Sequence, residues 1–112
     1  MPDLLFRSHT AALGLVFYTA DSFPSEFKGD AFVALHGSWN AAEPRGYHVV
    51  RVPFRDGKPV GHYEVFMSGF WVDGATPAQV IGRPVGLAVA ADGSLLVADD
   101  VAQVIWRVSR QP

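Results

Sequence analysis

The stretch GRPVGLAVAADGSLLVADD, residues 82–100, decides the predicted fold of this chain. It contains an apolar strand, a turn at Asp92 and Gly93, and a second apolar strand. Asp-Gly supplies the positive φ angles of a two-residue type I′ turn, so the two strands are predicted to pair as an antiparallel hairpin. A third apolar run at residues 104–108 extends this hairpin into a meander.

Composition excludes several classes of protein. The chain has 112 residues, of which 49% are apolar and 18% charged, with a formal net charge of -2. Residues 1–112 are therefore predicted to form a single all-β unit, without a surface for nucleic acid. No stretch approaches the ~20 apolar residues that span a bilayer, so no membrane partner is expected. The sequence begins without a signal peptide, and the absence of cysteine does not choose a compartment.

An internal repeat links this stretch to the residues before it. Four strands are predicted there, at residues 13–19, 30–36, 47–54 and 63–67. The matching segments are 13–16 (LGLV) with 85–88 (VGLA), 31–34 (AFVA) with 94–97 (SLLV), and 49–52 (VVRV) with 105–108 (IWRV).

Repeated antiparallel meanders predict about two blades of a β-propeller. Residues 10–70 form the first blade in this interpretation, and residues 82–110 form a second blade of three strands. On the repeat alone, a single β-sandwich stays open as the alternative, because it also combines apolar strands with glycine-rich turns. Two blades do not close a ring, so the fold is predicted to be incomplete in one chain and completed by oligomerisation.

Four segments in this order resemble a known family: LGLVFYT, DAFVALHGSWN, PRGYHVVRVPF and the stretch at residues 82–100. They are similar to the C-terminal third of the sorbosone dehydrogenase family, relatives of the soluble glucose dehydrogenases that use pyrroloquinoline quinone (PQQ). The resemblance implies a six-bladed propeller that oxidises an aldose by hydride transfer to PQQ. It also implies a periplasmic location. It places the catalytic base and the calcium ligands in earlier segments of the family, so no catalytic and no metal-binding residue is assigned here.

Arg83 is the first candidate for cofactor contact. The resemblance places it where the family has a PQQ-contacting arginine, whereas the second arginine of the glucose dehydrogenases is Val85 here. A guanidinium suits a carboxylate-rich quinone because its planar fork makes bidentate, charge-assisted hydrogen bonds. The alternative is a structural arginine that forms a salt bridge with Asp99 or Asp100.

His36, Trp39 and Asn40 are the other candidates for cofactor contact, in the loop after the second predicted strand. The Trp39 ring can cover a planar cofactor, and His36 or Asn40 can donate a hydrogen bond to it. In the structural alternative, His36 ties down the loop and Trp39 packs between blades.

Three further kinds of site are rejected. His36 and Ser38 do not form a serine hydrolase site, because no G-x-S-x-G elbow is present. The four histidines lack the spacing of metal ligands. Asp99 and Asp100 are not a glycosidase pair, since adjacent strand residues point to opposite faces. Asp99 and Asp100 are instead expected to accept backbone N–H bonds in the following turn.

Two functions from different classes follow. In the first, the chain is a fragment or descendant of a PQQ-dependent sugar dehydrogenase, without catalysis on its own and without tight PQQ binding. In the second, it is a non-enzymatic module that self-associates and binds a small sugar or quinone ligand. A homotrimer of two-blade chains, with residues 4–7 completing a neighbour's last blade, and an exchange of strands between two chains are both open.

Overall fold

Short apolar strands and tight turns build two antiparallel β-sheets that pack on each other. The computed structural model describes residues 2–6, 10–37, 47–73, 79–80 and 82–110, with the backbone alone at 71–73 and 79–80. The strands are β1 (Ala12–Phe17), β2 (Ala31–Leu35), β3 (His48–Val52), β4 (Phe54–Arg55), β5 (Lys58–Pro59), β6 (Glu64–Met67), β7 (Trp71–Asp73), β8 (Gln79–Val80), β9 (Pro84–Val89), β10 (Leu95–Asp99) and β11 (Val104–Val108).

Both sheets are meanders. The first has the strand order β1-β2-β3-β6 and the second has the order β11-β10-β9. The small hairpins β4-β5 and β7-β8 complete the described strands, and a single 3-10 turn, Ser25–Phe27, lies between β1 and β2. No helix in the described part of the chain has the length and apolar character needed to cross a bilayer.

The predicted hairpin in residues 82–100 is confirmed, but its predicted turn type is wrong. Gly93 has a positive φ of 87°, whereas Asp92 does not, and the Gly93 N–H donates to the Ala90 carbonyl at 2.9 Å. The loop is therefore longer than the two residues of a type I′ turn. The paired positive φ angles of that turn occur instead at Asp56 and Gly57, between β4 and β5.

The pairing registers define which positions of the two sheets are equivalent. Ala31 lies opposite Phe17 and Val52, and Leu95 lies opposite Val89 and Val108. Ala31 is thus equivalent to Leu95. The sequence match of 31–34 with 94–97 is wrong by one residue, because the turn before β10 is longer than predicted.

Each sheet has two faces, which we name by these equivalences. The front face carries Ala31, Val33 and Val52 in the first sheet, and Leu95, Val97 and Val108 in the second. The back face carries Phe32 and Val49 in the first sheet, and Leu96 and Ile105 in the second.

The sheets stack with the back of the first on the front of the second. Phe32 and Val49 of the first sheet are fully buried in one cluster with Leu95 and Val97 of the second. At the inner strands the backbones nearly touch, since a Cβ added to Gly14 would lie 2.6 Å from the Val85 carbonyl oxygen. Side chains of unlike faces therefore interlock, in a front-to-back arrangement.

One front face and one back face point away from this core. The front of the first sheet carries a second buried cluster, partly covered by Leu4 and Phe6, which pack there outside any strand. That cluster consists of Ala31, Val33, Leu35, Val50 and Val52. The described residues thus form an all-β domain of two stacked antiparallel sheets, and they do not show a closed propeller.

A network of charged side chains joins β3 to β6 and to the residue before β2 in the first sheet. The Arg51 guanidinium donates to Asp30 at 3.1 Å and to Glu64 at 2.9 Å, and it lies 4.2 Å from the centroid of the Phe27 ring. Asp30 is 3% exposed and also accepts the Phe54 N–H at 2.9 Å. Arg107 holds the equivalent position of the second sheet, but it is exposed and contacts Asp92 at 3.4 Å.

This equivalence supplies a matched pair of substitutions. Arg51→Gln leaves the Asp30 carboxylate buried without its cation and is expected to lower the free energy of unfolding by about 3–5 kcal/mol. Arg107→Gln, at an exposed site, is expected to change it by less than about 0.5 kcal/mol. Urea unfolding of both variants measures the difference. Equal losses in the two variants would contradict the buried network.

Candidate functional site

The candidate site lies where β2 and β10 end, at the same end of both sheets. His36 follows β2 and Asp100 follows β10, so the two residues occupy equivalent positions. The His36 Nε2 atom lies 2.8 Å from the Asp100 Oδ1 atom. This contact joins the loops that leave the two sheets.

Arg83 enters the same region just before β9. Its Nη1 atom donates to the carbonyl oxygens of Gly37 at 3.2 Å and of His36 at 3.4 Å. Its Cζ atom lies 4.9 Å from the centroid of the Tyr47 ring, which is a cation–π distance. The half-buried guanidinium is therefore held between two carbonyl groups and an aromatic ring.

Backbone hydrogen bonds and a glycine conformation hold the chain after β2 with these carbonyls next to Arg83. The His36 and Gly37 N–H groups donate to the carbonyls of Ala11 and Thr10, both at 2.9 Å. Gly37 has a φ of 102°, and a Cβ there would overlap the buried Tyr47 ring. Only glycine adopts this conformation readily and leaves room for the ring.

Asp99 anchors the backbone of Arg83. Asp99 is 4% exposed, and a Cβ added to Gly82 would overlap its carboxylate. Four N–H groups donate to this carboxylate: those of Arg83 at 2.9 Å, Val101 at 3.1 Å and Ala102 at 2.9 Å, and the Trp106 indole at 3.0 Å. The segment before β9 and the turn before β11 are thus fixed to one buried charge.

These hydrogen bonds set the protonation of Asp99. Burial by itself raises the pKa of the carboxyl, but the bonds from the Arg83 N–H, the Ala102 N–H, the Trp106 indole and the Val101 N–H outweigh it. The net result is a pKa below the usual range for aspartate. The group is therefore ionised in the folded protein at neutral pH.

The structure brings two of the predicted site residues together, Arg83 and His36. The predicted role of Asp99 as an acceptor of N–H groups in the following turn is confirmed, since it accepts those of Val101 and Ala102. The alternative of an Arg83 salt bridge to Asp99 or Asp100 is not what the described residues show. Asp99 accepts the Arg83 backbone N–H, and Asp100 pairs with His36.

Trp39 and Asn40, the remaining candidates, lie outside the described residues, as does Ser38. Within the described residues, no group of three or more histidine, aspartate or glutamate side chains lies close enough to hold a metal ion.

Sequence reasoning missed Tyr47 and the two backbone carbonyls that hold Arg83. Tyr47 has a positive φ of 61°, and no residue pattern announces that conformation. A signal for Asp99 does exist in the repeat. Asp99 stands where the first sheet has the buried Leu35, so the correctly aligned repeat exchanges an apolar residue for a buried carboxylate.

A family model described as TrAA12-like matches residues 1–111. The chain belongs to the TrAA12-like family. The expected membership of the sorbosone dehydrogenase family is therefore wrong. The apolar strands and glycine turns that supported that resemblance specify paired strands, and paired strands alone do not separate families that share such sheets.

Relatives of this TrAA12-like chain include a sugar-oxidising enzyme. The pyrroloquinoline quinone-dependent pyranose dehydrogenase of Coprinopsis cinerea is 32% identical over 133 residues, which covers 97% of this chain and 16% of that protein.

Two solved structures are similar in fold. The holo form of the PQQ domain of Coprinopsis cinerea pyranose dehydrogenase has a TM-score of 0.67 and 30% identity, over 97% of this chain and 29% of that chain. A calcium structure of the family AA12 carbohydrate-active enzyme of Trichoderma reesei has a TM-score of 0.72 and 25% identity, over 93% and 25% of the two chains. The TrAA12-like chain thus spans less than a third of each of these proteins.

The Asp99 contacts predict a defined pH dependence. Because its folded pKa is depressed, the ionised group stabilises the fold above its unfolded pKa of about 3.9, and this contribution is lost as the pH falls through the folded pKa. Asp99→Asn cannot accept all four N–H groups and is expected to cost about 1–3 kcal/mol at pH 7. The cost should shrink below pH 4.

Thermal melts between pH 2 and pH 7 measure this difference, with Asp56→Asn in the exposed turn as the control. If Asp99→Asn and wild type differ by the same amount at every pH, the ionised carboxylate is not the stabilising group.

Proposed function

We propose that this chain contributes part of the wall of a PQQ site in a sugar oxidoreductase. The chain is homologous to the PQQ domain of a pyranose dehydrogenase, and that homology covers nearly all of its length. Because the chain corresponds to a small part of that enzyme, the proposal concerns binding and orientation of the cofactor. The substrate of the proposed enzyme is a sugar, as the name of the relative indicates.

The observation behind the proposal is that the Arg83 guanidinium contacts only neutral groups among the described residues. Its partners are neutral, namely two carbonyls and a ring, and no carboxylate among the described residues pairs with its side chain. A half-buried cation with no counter-ion in the described part of the chain is suited to an anionic ligand, and PQQ is rich in carboxylates. The described residues therefore fit one end of such a cofactor.

The neighbouring residues have proposed roles in the same site. His36, oriented by Asp100, and Asn40 form hydrogen bonds with the cofactor, while Trp39 covers its ring. When bound, PQQ supplies the acceptor of the two electrons removed from the sugar. This chain's own residues bind the cofactor and fix its orientation.

The proposal extends to the fold. The two sheets are neighbouring blades of a radial, propeller-like array, with the candidate site at the shared end of the blades. Front-to-back stacking supports this interpretation, because it can be repeated with the same faces and the same sense of rotation. The site residues of successive sheets would then surround a common axis.

Cofactor binding gives the direct test of Arg83. Titration of the chain with PQQ in the presence of calcium, followed by isothermal calorimetry, should show weak binding. Arg83→Gln should weaken it by about 10- to 100-fold, since a charge-assisted hydrogen bond contributes about 1.5–3 kcal/mol.

Arg55→Gln is the matched control, because Arg55 is an exposed arginine in β4, away from the site. Equal affinities of the Arg83→Gln and Arg55→Gln variants would overturn the assignment of Arg83.

An activity assay tests the proposal that this chain binds PQQ but does not itself oxidise a sugar. The chain mixed with PQQ, calcium and a pyranose such as glucose should not reduce a dye acceptor, because the chain spans less than a third of the enzyme it resembles. A complete PQQ-dependent sugar dehydrogenase serves as the positive control. Turnover that disappears in His36→Gln would instead assign the base to this chain.

A further inference from the structure

We infer that Tyr47 is a positioning residue of the candidate site, whose ring holds the Arg83 guanidinium so that its Nε and Nη2 atoms face an anionic ligand. The inference rests on the proposed function, because it takes a carboxylate of the cofactor as that ligand. It adds to the site a residue that acts on the cofactor through another residue.

Within the described part of the chain, the Arg83 guanidinium makes its hydrogen bonds through one nitrogen atom. The Nη1 atom donates to the carbonyl oxygens of His36 at 3.4 Å and of Gly37 at 3.2 Å. The Nε and Nη2 atoms form a different edge of the same plane, where their N–H groups are parallel. Such an edge binds a carboxylate with two hydrogen bonds. The Nη1 contacts therefore leave the edge that suits a carboxylate.

The hydrogen bonds at Nη1 do not by themselves fix the direction of the guanidinium. Their lengths are at or beyond the upper end of the usual range for N–H···O bonds, so each is weak. Both meet at one atom, which allows the group to turn about the bond between Cζ and Nη1. An arginine side chain also has several rotatable bonds, and ordering them costs entropy. A further contact at the centre of the guanidinium is needed to hold it.

Tyr47 supplies this contact. The Arg83 Cζ atom lies over the Tyr47 ring, 4.9 Å from its centroid. The face of an aromatic ring carries negative electrostatic potential, so it attracts the cation without neutralising its charge. A carboxylate in the same place would pair with the cation and compete with an anionic ligand. The ring thus holds Arg83 and keeps its charge available.

The Tyr47 ring is itself held in place. Tyr47 is 2% exposed and has a positive φ of 61°. A residue other than glycine adopts such a φ at an energetic cost, and residues kept there by packing are frequent at ligand sites. A Cβ added to Gly37 would overlap the ring, so the ring packs on the backbone whose carbonyl accepts the Arg83 Nη1. Ring and carbonyl therefore form one support for the guanidinium.

Burial separates this positioning role from direct contact with the cofactor. Tyr47 has almost no exposed surface, whereas Arg83 is half-buried. A ligand can therefore reach the guanidinium but not the ring. The effect of Tyr47 on binding is expected to pass through Arg83.

Nuclear magnetic resonance of the chain without ligand tests the positioning and requires no variant to fold. A guanidinium that is held rotates slowly about its C–N bonds, and its two Nη groups give separate signals. A mobile guanidinium gives one averaged signal. Arg83 should show separate signals, and exposed Arg55 is the internal control that should show an averaged one. An averaged Arg83 signal would overturn the inference.

Substitutions then distinguish the ring from the hydroxyl. Tyr47→Phe keeps the ring face and should keep both the separate Arg83 signals and the affinity for PQQ. Tyr47→Leu removes the ring and should weaken PQQ binding by about 3- to 30-fold, the range that corresponds to a cation–π contact. Tyr63→Leu is the matched control, because Tyr63 is a half-buried aromatic residue packed on the front of the first sheet. It should bind PQQ like wild type, and a Tyr47→Phe variant as weak as Tyr47→Leu would contradict a role for the ring.

A double variant shows whether Tyr47 acts through Arg83. Titrations with PQQ in the presence of calcium, followed by nuclear magnetic resonance, measure even weak affinities. In an Arg83→Gln background, Tyr47→Leu should cause no further loss, because the group that it positions is already absent. Equal losses in the two backgrounds would overturn the inference and indicate a purely structural role. A wild type that does not bind PQQ would instead overturn the proposed function, while the Arg83 signals, measured without ligand, still report the positioning.

Discussion

The hydrogen bonds to the Asp99 carboxylate are the constraint on which the arrangement of the second sheet and the candidate site depends. A buried charge is tolerated only when its lone pairs are satisfied, and here four N–H groups satisfy them. They come from three parts of the chain: the entry to β9, the turn after β10, and Trp106 in β11. One carboxylate therefore fixes the backbone at Arg83 relative to the edge strand of its sheet. From this anchored position the Arg83 guanidinium contacts the carbonyls after β2 and the Tyr47 ring.

Front-to-back stacking of the two sheets adds residues of the first sheet to the site that Asp99 anchors. It brings the ends of β2 and β10 to the same end of the protein, where His36 and Asp100 meet from equivalent positions. The site is thus assembled from both sheets, although each contributes only a loop. The same stacking leaves one front face and one back face pointing away from the core.

Strands were the predictable part of this structure, because apolar periodicity and Asp-Gly turns act over a few residues. The pairing β9-β10-β11 and the four-stranded first sheet follow from such local signals. The turn at Asp92 was not correctly predicted, since the choice between loop lengths depends on contacts such as the bond from the Ser94 N–H to the Asp92 carboxylate. Arg83 and His36, each predicted as a cofactor contact, lie together in the structure, whereas the partners of Arg83 were not predicted. Backbone carbonyls leave no trace in a residue pattern, and Tyr47 reaches the arginine only through tertiary packing.

A single ionised carboxylate holds the Arg83 segment, the following turn and Trp106 together. Nuclear magnetic resonance during a pH titration tests this arrangement. The chemical shifts to follow are those of the Arg83, Val101 and Ala102 amide protons and of the Trp106 indole proton. All four protons should shift together in one titration below the usual range of aspartate, because they report the same group. Four protons that shift at different pH values, or a Trp106 indole that does not shift with the amides, would contradict the account.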